Sequence, residues 1–312
     1  VLAGTFGRSV KYSGSGDLLW DRTYIASVGA GVAVHAVSVD AAGNAVHAGT
    51  DWNTRTGFVT KLSAINGTTT WSTTGPAVET AAIAFAGGSN PVVAVTARAD
   101  ERFELSLARY QGASGAKAWQ VVPPPAPGDA VAADALPYCC GTSAIDTPAA
   151  AIDAGGSVLV AGYEVTGGGT RMRVIKRSSI DGSLLWSRAI DDGPRAYARA
   201  TALALDRTGN VIVSGTTSSS RYAPDTNGRV VKLSALDGSV LWDVLLDDGT
   251  RDVVLPHSVA IDAAGSVLLG SMATTSDGTQ IRTVKLAGAN GQLLWTRSEP
   301  GGMTQGRVRV AV

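Results

Sequence analysis

The sequence predicts an all-β chain built from one four-stranded antiparallel sheet repeated along its length. Three observations carry this. A phrase ending in tryptophan recurs as KLSAINGTTTW at 61–71, KRSSIDGSLLW at 176–186, KLSALDGSVLW at 232–242 and KLAGANGQLLW at 285–295. A second phrase precedes it in each unit: DAAGNAVHAG at 40–49, DAGGSVLVAG at 153–162, DRTGNVIVSG at 206–215 and DAAGSVLLG at 262–270. The composition also fits, with 38 glycines, 45% hydrophobic residues and only 17% charged ones. Such a mix suits many short strands joined by tight turns.

Each unit then reads as four strands. Strand A is the apolar run before the acidic turn, such as ATALAL at 200–205 and SVAI at 258–261. Strand B follows the turn, strand C carries the lysine or arginine, and strand D ends at tryptophan. Looser copies are KYSGSGDLLW at 11–20, RYQGASGAKAW at 109–119 and, for the acidic turn, AGGSNPVVAV at 86–95. The tryptophans fall at Trp20, Trp71, Trp119, Trp186, Trp242 and Trp295, and only Trp52 lies outside the pattern. The Asn-Gly and Asp-Gly pairs at Asn66, Asp181, Asp237 and Asn290 predict tight hairpins with positive φ at both turn residues. Runs such as VIV and VLL are too continuous for a sheet with one wet face and predict strands covered on both faces. Four-stranded sheets packed face to face around an axis satisfy that demand, which is a β-propeller. A right-handed β-helix is the alternative, but its repeat is usually shorter than about 50 residues.

The tail RVRVAV at 307–312 aligns with strand A, and the head VLAGT at 1–5 with strand B. The reading is therefore a single domain of six blades, closed by pairing of terminal strands: 306–312 with 1–20, then 33–71, 79–119, 146–186, 199–242 and 255–295. A longer native chain with a seventh blade is the alternative. The six repeat tryptophans are expected to pack blade on blade, each burying roughly 150–250 Å². Lys61, Lys176, Lys232 and Lys285 are expected to snorkel from strand C.

The 26 basic and 26 acidic residues cancel and form no basic stripe, so no nucleic-acid partner is expected. No run of 18 apolar residues predicts a membrane span. The opening VLAGTFGRSV lacks the charged start and long apolar stretch of a signal peptide.

In a propeller the D-to-A and B-to-C connections gather around one mouth of the central channel. Here they vary, so function is placed there. His35 and His257 each stand five residues before the turn aspartate, on innermost strands, and Arg199 and Arg307 lie near the same level. Together they predict an anion or carboxylate site at the channel mouth. Ordinary polar residues lining a wet channel are the alternative. Trp52 and Tyr138 sit on the same set of connections. His47, on strand B, is expected to be a packing residue. Two histidines are too few to define a metal site, and none is expected. Asp225–Asn227 hints at a calcium loop without the closing glutamate.

The longest connection runs from Trp119 to Ile152, 33 residues against 19 from Trp186 to Leu205. It holds Tyr138 and the only two cysteines, Cys139 and Cys140. It reads as a lid or recognition loop, or as a surface elaboration. Adjacent cysteines can close a strained eight-membered ring outside the usual Cα separation, so a vicinal Cys139–Cys140 disulfide is expected. No HExxH, CxxC, P-loop or GxSxG pattern is present.

The LDGSVLW and IDGSLLW segments resemble the quinoprotein-type (PQQ-like) propeller repeat, whose strand pair ends in a TGxxxW phrase. The DxxGNVxVxGT segments resemble bacterial SBBP-type β-propeller repeats. The likeness covers nearly the whole chain and implies the fold and an exported, bacterial setting. Some quinoprotein dehydrogenases hold their quinone against a vicinal disulfide, which Cys139–Cys140 resembles. The chain departs from them in its six blades rather than eight, and in lacking a metal-binding carboxylate set. No cofactor is expected, with calcium and a quinone as the alternatives. The expected function is an exported non-catalytic binding or scaffold module that presents its loops to a protein, glycan or small ligand. The alternatives are an enzyme using the His/Arg channel (a lyase, a hydrolase or a quinone-type oxidoreductase) and a structural subunit of a larger assembly.

Overall fold

The computed structural model describes residues 2–3, 8–23, 31–76, 78–86, 90–99, 102–121, 149–166, 169–190, 197–219, 226–246, 253–275, 278–300, 308 and 310. The chain divides into two compact units. One comprises residues 1–124 with 155–158 and 178–183; the other comprises 125–154, 159–177 and 184–312.

The first unit holds three sheets whose strands follow chain order. The first has only three strands, β1 (Leu2–Ala3), β2 (Arg8–Tyr12) and β3 (Leu18–Thr23). The second is β4 (Val32–Val39), β5 (Ala45–Asp51), β6 (Thr56–Leu62) and β7 (Thr69–Pro76). The third is β8 (Val78–Ala86), β9 (Asn90–Ala99), β10 (Arg102–Tyr110) and β11 (Lys117–Val121). In the other unit, β12 (Ala149–Ile152), β13 (Val158–Thr166), β14 (Gly169–Arg177) and β15 (Leu184–Ile190) come first. Next are β16 (Tyr197–Leu205), β17 (Val211–Ser218), β18 (Asn227–Leu233) and β19 (Val240–Leu246). A single parallel bridge, Thr170 to Tyr197, links these two sheets. The last sheet is β20 (Val253–Ile261), β21 (Val267–Thr275), β22 (Gly278–Leu286) and β23 (Leu293–Pro300). The second strands are buried on both faces: every residue of β17 is.

The turns depart from the sequence reading in one respect. The Asn-Gly and Asp-Gly connections do not have positive φ at both residues. Ser63 N–H donates to Thr68 O at 2.9 Å and Gly67 N–H to Ser63 O at 3.0 Å. Four residues lie inside this loop rather than two, so it is built on a right-handed turn, and only its last residue, Gly67 at φ +70, must be left-handed. The same bonds recur at Ser178–Ser183 and Ser234–Ser239.

A second correction concerns the lysines, which do not snorkel. Each pairs with the aspartate of the acidic turn in its own sheet: Lys61 with Asp40 at 2.8 Å, Lys176 with Asp153 at 2.8 Å, Lys232 with Asp206 at 2.9 Å and Lys285 with Asp262 at 2.8 Å. The Lys61 and Asp40 side chains are 6% and 0% exposed. The other carboxylate oxygen closes the turn: Asp40 Oδ1 accepts from Ala42 N–H and Asn44 N–H at 3.0 and 2.8 Å. Burial opposes the charge on Asp206, yet hydrogen bonds from Lys232, Thr208 and Asn210 outweigh it and hold the carboxyl down at about 2.

The lysine ammonium also crosses to the following sheet, where it meets the tryptophan of its own sheet at one backbone carbonyl. Lys61 Nζ and Trp71 Nε1 both donate to Gly112 O, at 3.0 and 2.9 Å. Lys176 and Trp186 share Ala235 O, Lys232 and Trp242 share Gly288 O, and Lys11 and Trp20 share Ala64 O. The amide of that same peptide is held within its own sheet, Ala64 N–H by Asn44 Oδ1 and Ala235 N–H by Asn210 Oδ1. The left-handed turn glycine then lies flat on the tryptophan ring. A Cβ on Gly67 would stand 2.7 Å from Trp20, and one on Gly238 2.7 Å from Trp186.

Around these clasps the cores close. In the first unit Val46, Ala48, Val59 and Trp71 pack on Ala108 and Tyr110, with Trp71 and Tyr110 stacked at 6.2 Å. In the second unit Leu159, Met172, Val174, Trp186 and Ile190 meet Val211, Val213, Val231 and Leu233. A further cluster joins Ile212, Val230 and Trp242 to Val267, Leu269, Val284 and Leu286.

His47 on β5 is fully buried, its Nε2 at 3.0 Å from Ser9 Oγ of β2. Burial pushes its pKa down to about 4. Below the ordinary value near 6.5 the unfolded chain takes up a proton that the folded one refuses. Stability is therefore expected to fall between pH 6.5 and 4 and to level off below, by about 3 kcal/mol in all. Denaturant midpoints of wild type and His47→Asn across this range check it: the difference between the two proteins should shrink on acidification.

Candidate functional site

The innermost strands share a one-residue bulge. The ladder slips at His35 on β4, Glu79 on β8, Thr201 on β16 and His257 on β20. A bulge re-aims its side chain out of the alternation. Thr201 Oγ1 donates to Pro256 O of β20 at 2.6 Å. His257 Nδ1 accepts from Val308 N–H at 3.2 Å. Both bulge side chains thus engage the backbone of the segment lying beside their own strand.

Arg199 and His257 lie on neighbouring strands of the second unit, and Arg199 stacks on Tyr163 of β13, its guanidinium carbon 5.0 Å from the ring centroid. Sequence reasoning missed Tyr163, because a cation–π partner on another strand leaves no local pattern. Thr201 was missed as well, although its spacing to Asp206 matches that of His257 to Asp262.

In the first unit His35 and Trp52 belong to one sheet. Trp52 follows β5 and is 47% exposed. Its turn is fixed by its backbone: Trp52 N–H donates to Gly31 O at 2.5 Å, and Asn53 N–H to Asp51 Oδ1 at 2.9 Å. Arg55 takes φ +54, among the described residues the one left-handed position without glycine. The turn therefore holds an exposed ring and an exposed guanidinium in place, chemistry suited to contact with a partner. Tyr138, Cys139, Cys140, Arg307 and Asp225 lie outside the described residues. Among the described residues no three His, Cys, Asp or Glu side chains converge as a metal site.

A second surface stands out on the outer strands. In the second unit Leu184 and Leu185 of β15, Leu241 of β19, and Leu293 and Leu294 of β23 are each about half exposed. The matching positions of β7 are Thr69 and Thr70.

No family model and no curated protein matches the sequence. Solved structures do match. BamB from Moraxella catarrhalis is 16% identical, with a TM-score of 0.55 over 95% of this chain and 71% of that one. A quinohemoprotein alcohol dehydrogenase from Pseudomonas putida HK5 is 12% identical, with a TM-score of 0.58 over 93% of this chain and 56% of that one. Sqt1 from Chaetomium thermophilum, bound to the N-terminus of ribosomal protein L10, is 14% identical, with a TM-score of 0.54 over 94% of this chain and 70% of that one. The chain is a β-propeller repeat protein. It spans little more than half the length of the dehydrogenase. No helix among the described residues is long and apolar enough to cross a membrane.

Proposed function

We propose that the chain is an exported six-bladed propeller whose variable connections form a non-catalytic binding or scaffold surface for a protein partner. The observation that carries this is Trp52, a large aromatic half exposed on a turn whose backbone is pinned. Such a ring loses little side-chain freedom on binding and is the residue type that most often dominates an interface. The Sqt1 structure supports the class of partner, since a propeller of this kind is bound there to a protein terminus. Closure into six blades is supported by residue 308, which meets the bulge of β20 as β20 meets the bulge of β16. An enzyme using His35, His257, Arg199 and Arg307, or a platform at Cys139–Cys140 for a small ligand, is the alternative.

The outer leucines favour a second reading, a subunit whose outer edge is covered in a larger assembly, because half-exposed leucines recurring on three neighbouring sheets exceed what a lone surface usually shows. One experiment separates the two. Native extract is passed over wild type, Trp52→Ala and a Leu185→Ser/Leu241→Ser/Leu294→Ser variant, with bound proteins identified and cross-links mapped. Trp52→Ala is expected to lose the partner by tenfold or more while keeping its melting temperature. Retention by Trp52→Ala with loss by the leucine variant would move the interface to the outer edge.

A further inference from the structure

We propose that the exposed backbone edge of β20 is a strand-acceptor site, occupied by this chain's own residues 308–310, that holds its guest through side-chain contacts to the guest's backbone. Ser258 Oγ donates to Val308 O at 3.0 Å and accepts from Val310 N–H at 2.9 Å. His257 Nδ1 takes Val308 N–H at 3.2 Å. Two adjacent side chains therefore satisfy three backbone groups of residues 308 and 310, the spacing at which a strand repeats its face.

The site is shaped as well as polar. The position of a Cβ on Gly270 of β21 lies 2.9 Å from Val308 Cγ1 and 2.8 Å from Ser258 Oγ. Glycine there leaves the room that the valine methyl fills. The bulge at His257 supplies the geometry, because the extra residue lets two consecutive side chains, His257 and Ser258, meet the same neighbour. None of these contacts reads the guest's side-chain chemistry beyond the small valine. The site thus selects an extended backbone with a small β-branched residue opposite Gly270, and it reads the guest as a strand rather than as a sequence. This assignment rests on contacts within the second unit and stands whether or not the surface at Trp52 binds a partner.

Amide hydrogen exchange of the full chain tests it. Val308 and Val310 should be protected in wild type. Ser258→Ala should speed Val310 exchange about tenfold, the loss of one hydrogen bond, with amides of the β20–β21 ladder such as Val259 and Leu269 unchanged. His257→Ala should act mainly on Val308, and Ser258→Thr, which keeps the hydroxyl, should preserve both. Gly270→Val should release both residues together. Free exchange of Val308 and Val310 in wild type, or full protection in Ser258→Ala, would overturn the assignment. Protection that rises with protein concentration alongside a dimer in light scattering would overturn the chain's own tail as the guest.

Discussion

Lys61→Met lowers the stability of the first unit by about 3–5 kcal/mol, the cost of removing one partner from a buried ion pair. The figure applies because both side chains are almost fully shielded, at 6% and 0% exposure, so water cannot take over the charge left on Asp40. Asp40 cannot turn away either, since its Oδ1 closes the acidic turn through Ala42 N–H and Asn44 N–H. Burial works against that carboxylate, and the Lys61 and Asn44 hydrogen bonds are what keep its pKa below the usual value. Removing the lysine thus strands a charge whose other attachments resist its neutralisation. Asp40→Asn/Lys61→Met removes the charge while leaving an oxygen for the turn, and should recover most of the loss. The same substitution at Lys285 is the control. There the pair is 25% and 18% exposed, and solvent screens it, so Lys285→Met should cost clearly less. Denaturant unfolding of the four proteins, read by tryptophan fluorescence, measures this. Equal losses at Lys61 and Lys285 would show that burial does not set the value of the pair.

The sequence made the strands legible because each sheet repeats the same turn and tryptophan, so a local pattern is read several times over. It did not reveal the partners of the lysines. Asp40 and Lys61 stand 21 positions apart and Lys61 and Gly112 stand 51 apart, distances at which no spacing rule links a side chain to a backbone oxygen. The hairpins were misread for a similar reason: Asn66-Gly67 carries the signal of a two-residue turn, while the loop length is set by where Ser63 and Thr68 pair. On the candidate site, the spacing of His35 and His257 to their aspartates did mark a shared backbone feature. That the feature is a bulge, and that Thr201 occupies it too, depends on strand register, which spacing does not encode.

Gly215→Ala and Gly49→Ala should each cost several kcal/mol and leave little soluble protein. The reason is the same bulge. By inserting a residue at Thr201 it turns the carbonyl of Arg199 under the strand beside it, where a Cβ on Gly215 would stand 1.9 Å from that oxygen. At Gly49 the corresponding oxygen is Ala33 O, at 2.1 Å. Both obstacles are backbone, so no rotamer change relieves them, and φ is not the difficulty since neither glycine is left-handed. Relief needs β16 to move off β17. That would open the packing of Ala198 and Ala200 against Val213 and pull Thr201 from Pro256 O. Gly75→Ala is the control: it has nothing within 4 Å among the described residues and should lie within about 0.5 kcal/mol of wild type or slightly above it, through reduced freedom of the unfolded chain. Denaturant unfolding of the three variants decides. A Gly215→Ala protein as stable as Gly75→Ala would mean that the bulge shifts freely, and with it the aim that the bulge gives to Thr201 and His257.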